Sequence, residues 1–147
     1  MYESTRITNK NFLEPELSYK IQGTVYEVSN KYGKGLKEQI YQKALAEEFT
    51  KYNIVFEQQK RINIFSINTG KVLGLYIPDF LIENKIILEI KASTFTTRQD
   101  ANQQISYLKA SIYEIGYLVN FGTNKLHISR SIFTNDRKQF ISLIEKS

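Results

Sequence analysis

The first part of the chain has apolar residues at the spacing of amphipathic helices. After Glu14-Pro15 they recur every three or four residues up to about Tyr32, and Gly33-Lys34-Gly35 ends the pattern. A second helical run begins at about Leu36. The positions predicted to be buried are Leu17, Ile21, Val25, Val28 and Tyr32 in the first helix, and Leu36, Ile40, Ala44, Leu45 and Phe49 in the second. Two helices are therefore expected before any strand.

From residue 54 onward the pattern changes to alternating residues rich in β-branched and aromatic types, which predicts strands. Three strands are expected at 55–67, 73–82 and 85–92, with a turn centred on Asn84 between the last two. A third helix should follow at about 97–114, with Ala101, Ile105, Leu108 and Ile112 on its buried face. Strands at 116–121 and 125–133 and a short helix through Phe140, Ile141 and Ile144 complete the order α-α-β-β-β-α-β-β-α. We predict an α/β fold with a mixed sheet flanked by helices.

Length and composition add limits to this picture. The chain has 147 residues, 41% of them hydrophobic, which suits one domain over residues 15–147 preceded by a flexible arm at 1–14. The absence of cysteine excludes a zinc-thiolate site, a thiol nucleophile and disulfides. No run is long and apolar enough to span a membrane, so a cytoplasmic protein is expected. The net charge of +5 is compatible with a nucleic-acid partner, although the basic residues are scattered.

A few charged residues interrupt the apolar segment that runs from Tyr76 to Lys91. If the turn is centred on Asn84, Asp79 and Glu89 lie opposite each other, each five residues from it. Glu89 and Lys91 are two residues apart and should project to the same face of the sheet. Carboxylates at this position need a partner or a cation, because an unpaired buried charge is costly. Mg²⁺ or Mn²⁺ could be held by Asp79, Glu89 and the backbone carbonyl of Ile90.

Two further motifs offer polar residues from helices. In Gly35-x-x-Glu38-x-x-Tyr41, Glu38 could supply another acid to the metal, or could only be a first-turn acid favoured by the helix dipole. In Gln103-x-x-x-Tyr107, the two polar residues share one helical face and could support the site or be solvated surface. A simpler interpretation of Glu89 and Lys91 is that they lie on the exposed polar face of an edge strand.

Together these motifs resemble the GxxExxY protein family, which belongs to the PD-(D/E)XK nuclease superfamily. The resemblance extends from about Leu17 to Arg130 and also includes Ile77-Pro-Asp79, Glu89-x-Lys91-Ala92 and the segment 116–122. It implies a restriction-endonuclease-like fold, with Glu38, Asp79 and Glu89 as the acidic residues, Lys91 as the site lysine, and Gln103 and Tyr107 as a supporting pair. The sequence departs from the family pattern at Ser29, Lys34 and Ser129.

We therefore expect Mg²⁺- or Mn²⁺-dependent hydrolysis of phosphodiester bonds in nucleic acid, DNA rather than RNA. The alternative is a catalytically inactive nuclease-like fold that binds nucleic acid or another protein. A domain of this size offers little surface for reading sequence, so a homodimer or a partner protein could supply targeting.

Overall fold

A computed structural model describes residues 13–145, which form a mixed sheet flanked by helices. The helices are α1 (Pro15–Tyr32), α2 (Glu38–Lys51), α3 (Arg98–Lys109) and α4 (Phe140–Glu145), with a short 3-10 helix at Asn135–Arg137. The strands are β1 (Phe56–Glu57), β2 (Ile62–Phe65), β3 (Val72–Tyr76), β4 (Phe80–Ile82), β5 (Ile86–Lys91), β6 (Ile115–Asn120) and β7 (His127–Ile132). The predicted mixed α/β class is confirmed.

The central sheet has the strand order β1-β4-β5-β6-β7, and β2 and β3 form a separate two-stranded hairpin. Strands β5 and β6 are parallel, with α3 as the crossover between them, whereas β1–β4, β4–β5 and β6–β7 are antiparallel. Strands β5 and β6 are central: four of the six residues of β5 are buried and the other two are partly buried, and all six residues of β6 are buried. Their position accounts for their near-continuous apolar sequences.

Each face of the sheet is covered by a different set of elements. Helices α1 and α2 pack on one face, where Ile21, Val25 and Phe49 meet inward residues of β4, β5 and β6. On the other face, Leu108 of α3 packs with Ile87 of β5 and with apolar residues of the β2–β3 hairpin. Because side chains alternate along a strand, β4 and β5 contribute to both layers.

Two predicted strands are each divided in the structure. The predicted strand 55–67 becomes β1 and β2, and the predicted strand 73–82 becomes β3 and β4. Gln59 lies in the left-handed region in the first break, and Pro78, which has no backbone N–H to donate, lies in the second. The chain uses both breaks to move between the central sheet and the hairpin.

Several helix predictions are wrong in detail. Helix α3 ends at Lys109 instead of continuing to 114, and Ile112 is 49% exposed beyond its end. Its fully buried positions are Gln104 and Leu108, so its inward face is more polar than the apolar pattern indicated. In α2, Ile40 is exposed and Tyr41 takes the buried position.

The ends of the chain are described only in part. Of the predicted arm, residues 1–12 lie outside the described residues. Leu13 packs on the α1–α2 side of the core, and its carbonyl accepts a hydrogen bond from Arg130 at 2.6 Å. Within residues 13–145, no helix is long and apolar enough to cross a membrane.

Gly122 packs closely against the backbone of the residues that follow β5. A methyl group at Gly122 would lie 2.6 Å from the carbonyl carbon of Ala92 and from the carbonyl oxygen of Ser93, which are backbone atoms. Gly122→Ala should therefore lower the free energy of unfolding in urea by roughly 1–3 kcal/mol. Gly23→Ala is the control, because nothing lies within 4 Å of its added methyl group. Gly23→Ala, within α1, should stabilise the protein by up to about 1 kcal/mol. Equal changes in the free energy of unfolding for Gly122→Ala and Gly23→Ala would contradict the close packing of Gly122.

Candidate active site

The β4–β5 turn sets the register that brings two carboxylates together. Glu83 and Asn84 both have positive φ, and the Lys85 N–H donates to the Ile82 carbonyl at 2.9 Å. The paired residues Ile82↔Ile86 and Phe80↔Leu88 are centred on Asn84. One further step along both strands places Asp79 opposite Glu89, as the sequence predicts.

Asp79 follows directly from the point where the chain leaves the hairpin and enters β4. Its carboxylate accepts a hydrogen bond from the Ile90 N–H at 2.7 Å and another from the Gln42 side-chain amide at 3.0 Å. The Asp79 N–H in turn donates to Glu89 at 3.3 Å. The Asp79 side chain thus satisfies a β5 backbone group at the point where β4 begins, and it ties β5 to α2.

Glu89 is held from its other side by a pair of stacked tyrosines. The Tyr76 hydroxyl donates to its carboxylate at 2.5 Å. The Tyr76 ring stacks on Tyr107 of α3, with centroids 3.9 Å apart and planes 14° from parallel. Tyr107, predicted as a supporting residue, therefore acts on Glu89 through Tyr76.

Burial makes ionisation of both acids unfavourable. The pKa of Glu89 is raised to about 7, chiefly because the carboxyl group is removed from water; the Tyr76 hydrogen bond opposes this shift, and the nearby Asp79 charge adds to it. Removal from water also raises the pKa of Asp79, against the hydrogen bond from the Ile90 N–H, the side-chain interaction with Glu89 and the positive charge of Lys91. Two carboxylates in contact in a partly buried site resist carrying two negative charges. A cation would relieve that cost.

Lys91 and Gln103 lie on the α3 side of these acids. Both line a small cleft together with Glu89, Asp100 and Tyr107. Lys91 and Glu89 project to the same face of β5, whereas Ile90 is buried on the opposite face. The structure therefore brings together four of the predicted residues here, since Glu89, Lys91, Gln103 and Tyr107 share this cleft.

Helix α3 is fixed against the sheet by a residue next to Gln103. Gln104 is buried, donates to the Tyr117 carbonyl at 2.9 Å, and fills the space left by the missing side chain of Gly116. Gln103 itself is exposed at the cleft. Of the two adjacent glutamines, one anchors the helix and the other faces the site.

Glu38 is not brought into contact with the acid pair. It is exposed at the start of α2 and, in the described part of the chain, forms no hydrogen bond or ion pair. Gln42, one turn later on the same side of the helix, is the α2 residue that reaches Asp79. Tyr41 is buried instead: its hydroxyl donates to the Gly33 carbonyl and accepts from the Leu36 N–H, which holds the turn before α2.

Residues 13–145 contain no cluster of three or more His, Asp or Glu side chains placed to hold a metal. The donor set present is the Asp79–Glu89 pair, with the carbonyl of Ile90 in the strand between Glu89 and Lys91. Mg²⁺ is commonly bound by one or two carboxylates, with water and substrate phosphate completing its shell. Two hard oxygen donors of this kind fit such an ion.

Sequence reasoning missed three polar residues of the site. Tyr76 and Gln42 hydrogen-bond to the acids, and Asp100 lines the cleft. Gln42 could have been found from its position four residues after Glu38 on the same side of a helix, whereas no local spacing relates Tyr76 to Glu89. Asp100 also closes a capping box with Thr97, which a sequence pattern of threonine followed three residues later by an acid can indicate.

The raised pKa of Glu89 predicts how stability depends on pH in the absence of metal. Because the folded-state pKa is about 7 and the ordinary value is 4.5, ionisation of Glu89 disfavours the folded state. Relative to Glu89→Gln, the wild type should be most stable below pH 4.5. It should lose roughly 2–3 kcal/mol as the pH rises through 7.

Urea denaturation in EDTA from pH 4.5 to 8.5 measures this difference. Glu57→Gln is the control, since Glu57 is an exposed acid on β1 whose partner is the exposed Lys60. If the difference in free energy of unfolding between wild type and Glu89→Gln stayed constant over this pH range, the raised pKa of Glu89 would be contradicted.

Two solved structures and a superfamily model are similar to this chain. The chain is similar to an alkaline exonuclease from Laribacter hongkongensis, with 12% identity, a TM-score of 0.46, and coverage of 96% of this chain and 78% of that one. It is also similar to the protein SSO0001, with 22% identity, a TM-score of 0.44, and coverage of 97% and 68%. No curated protein matches the sequence significantly. The model of the PD-(D/E)XK nuclease superfamily matches residues 15–131, which include every residue of the site, and the chain belongs to that superfamily.

Proposed function

We propose that this protein is a divalent-metal-dependent nuclease that hydrolyses phosphodiester bonds in nucleic acid. The observation that carries the proposal is the contact between Asp79 and Glu89, two partly buried acids whose pKa values are both raised. A pair of this kind is unfavourable as a purely structural element, because burial penalises both charges. It is well suited to bind a cation next to a polyanionic substrate.

Mg²⁺ or Mn²⁺ is the proposed ion, held by Asp79, Glu89 and the Ile90 carbonyl, with Glu38 as a further ligand from α2. When bound, such an ion neutralises charge on the phosphate and makes a water molecule a better nucleophile. Glu38 lies one helical turn before Gln42, which already reaches Asp79. Glu38 is therefore on the side of α2 that faces the Asp79–Glu89 pair.

The remaining residues position the reacting groups. A water molecule attacks phosphorus, one P–O bond of the diester breaks, and the products are a phosphomonoester and an alcohol. Lys91 shares a face with Glu89 and contributes positive charge near Asp79, so its ammonium is placed to stabilise charge on the phosphate oxygens. Tyr76 fixes the Glu89 carboxylate, Tyr107 fixes Tyr76 by stacking, and Gln103 offers an amide at the edge of the cleft.

We further infer DNA rather than RNA as the substrate, in a cytoplasmic protein whose domain is formed by residues 15–147. A homodimer or a partner protein would supply targeting, because the domain itself offers little surface for base readout. The net charge of +5 favours association with either nucleic acid through its phosphates.

A nuclease assay with site variants tests this function. Asp79→Asn and Lys91→Ala should each lower turnover of fluorescent DNA and RNA oligonucleotides in Mg²⁺ or Mn²⁺ by roughly 10²- to 10⁴-fold. EDTA should abolish turnover by the wild type. Lys71→Ala is the matched control, because Lys71 is exposed in the connection between β2 and β3 and its loss should leave the rate unchanged.

Two results would count against the enzyme. Full activity in Asp79→Asn would show that the acid pair is not the site. Binding of oligonucleotides by the wild type without cleavage in either metal would favour the inactive, nucleic-acid-binding alternative.

A further inference from the structure

The segment that joins β5 to α3 is held by one buried side chain. Asn120, at the end of β6, is fully buried and its side-chain oxygen accepts hydrogen bonds from the N–H groups of Ser93 and Gly122. Its amide nitrogen donates to the Thr96 hydroxyl at 3.0 Å. Both ends of the short loop 93–96 are thus fixed to the same residue.

The loop lies at the same face of the sheet as the site. Asn120 is the direct register partner of Lys91 in the parallel pair β5–β6. Tyr117, Val119 and Phe121 of this segment belong to the α1–α2 side of the core, so the side chain of Asn120 points to the side of Glu89 and Lys91. Its hydrogen bonds therefore hold the loop on the face of the sheet that carries Glu89 and Lys91.

Phe95 lies between the two anchored positions and is 69% exposed. It belongs to neither core cluster, and the Ser93 hydroxyl donates to its carbonyl at 3.3 Å. It lies four positions after Lys91, so the two Cα atoms are at most roughly 14 Å apart at about 3.6 Å per residue. A large aromatic ring is thus held in solvent by an anchored loop that begins two residues after Lys91.

We propose that Phe95 stacks on an unpaired nucleobase of the strand whose phosphate occupies the Asp79–Glu89 site, so that the protein takes single-stranded nucleic acid in preference to a closed duplex. The inference rests on the proposed function. Stacking on an aromatic side chain requires an exposed base face, which a duplex interior lacks. Arg98, exposed three residues later at the start of α3, adds a cation for the same strand's backbone.

Binding of fluorescent oligonucleotides tests this role. Affinities of wild type, Phe95→Ala and Phe95→Trp are measured by anisotropy with Ca²⁺ in place of Mg²⁺, for a single strand, for an abasic strand of equal length and for the matching duplex. Phe95→Ala should weaken binding of the single strand roughly 5- to 100-fold. It should leave binding of the abasic strand and the duplex within about twofold of wild type, which also shows that the variant is folded. Phe95→Trp should retain the wild-type preference.

Tyr19→Ala is the matched control, because Tyr19 is 81% exposed on α1, on the opposite face of the sheet. It should bind all three ligands as the wild type does. If Phe95→Ala bound the single strand as tightly as wild type does, the stacking role of Phe95 would be overturned and the proposed function would stand. The same would follow if Phe95→Ala lost as much affinity for the abasic strand as for the single strand. Failure of the wild type to bind any of the three would overturn the proposed function together with this inference.

Discussion

The register of the β4–β5 hairpin is the constraint on which the site depends. The positive φ angles of Glu83 and Asn84 centre the turn, and the pairing that follows sets Asp79 opposite Glu89. A slip of one residue would exchange the faces of β5 and move Glu89 into the apolar layer beneath α1 and α2. Leu88 and Ile90, buried in that layer, oppose the slip because they would be moved towards the polar cleft. The apolar packing of the core therefore fixes the position of the acids.

Other parts of the fold serve to hold this acid pair in place. Gln42 of α2 and the Ile90 N–H bind Asp79, while Tyr76 of the hairpin binds Glu89. Stacking with Tyr107 connects that tyrosine to α3, and Gln104 anchors α3 to β6. The acids are thus supported from both layers of helices, and this support keeps the geometry of the pair against mutual repulsion.

Much of this arrangement could be predicted from local sequence patterns. The periodicity indicated the helices and the α/β class, and the symmetry about Asn84 gave the opposition of Asp79 and Glu89. The breaks near Gln59 and Pro78 were missed because the segments on both sides of each break have strand-like sequences, and only the tertiary pairing gives them different partners. The contacts of Gln42 and Tyr76 could not be predicted with the same certainty, because they join residues distant in the chain through tertiary packing. The distance of Glu38 from the pair also depends on how α2 is placed.

The central claim is that Asp79 and Glu89 form a cation site, and calorimetric titration of Mn²⁺ and Mg²⁺ tests it most directly. Wild type should bind saturably, Glu89→Ala should lose that binding, and Glu57→Ala, which removes an exposed acid from β1, should bind as wild type does. Metal binding should also release protons near neutral pH, because the pKa of Glu89 is raised to about 7. Equal binding by wild type and Glu89→Ala, or none by wild type even with oligonucleotide present, would contradict the account.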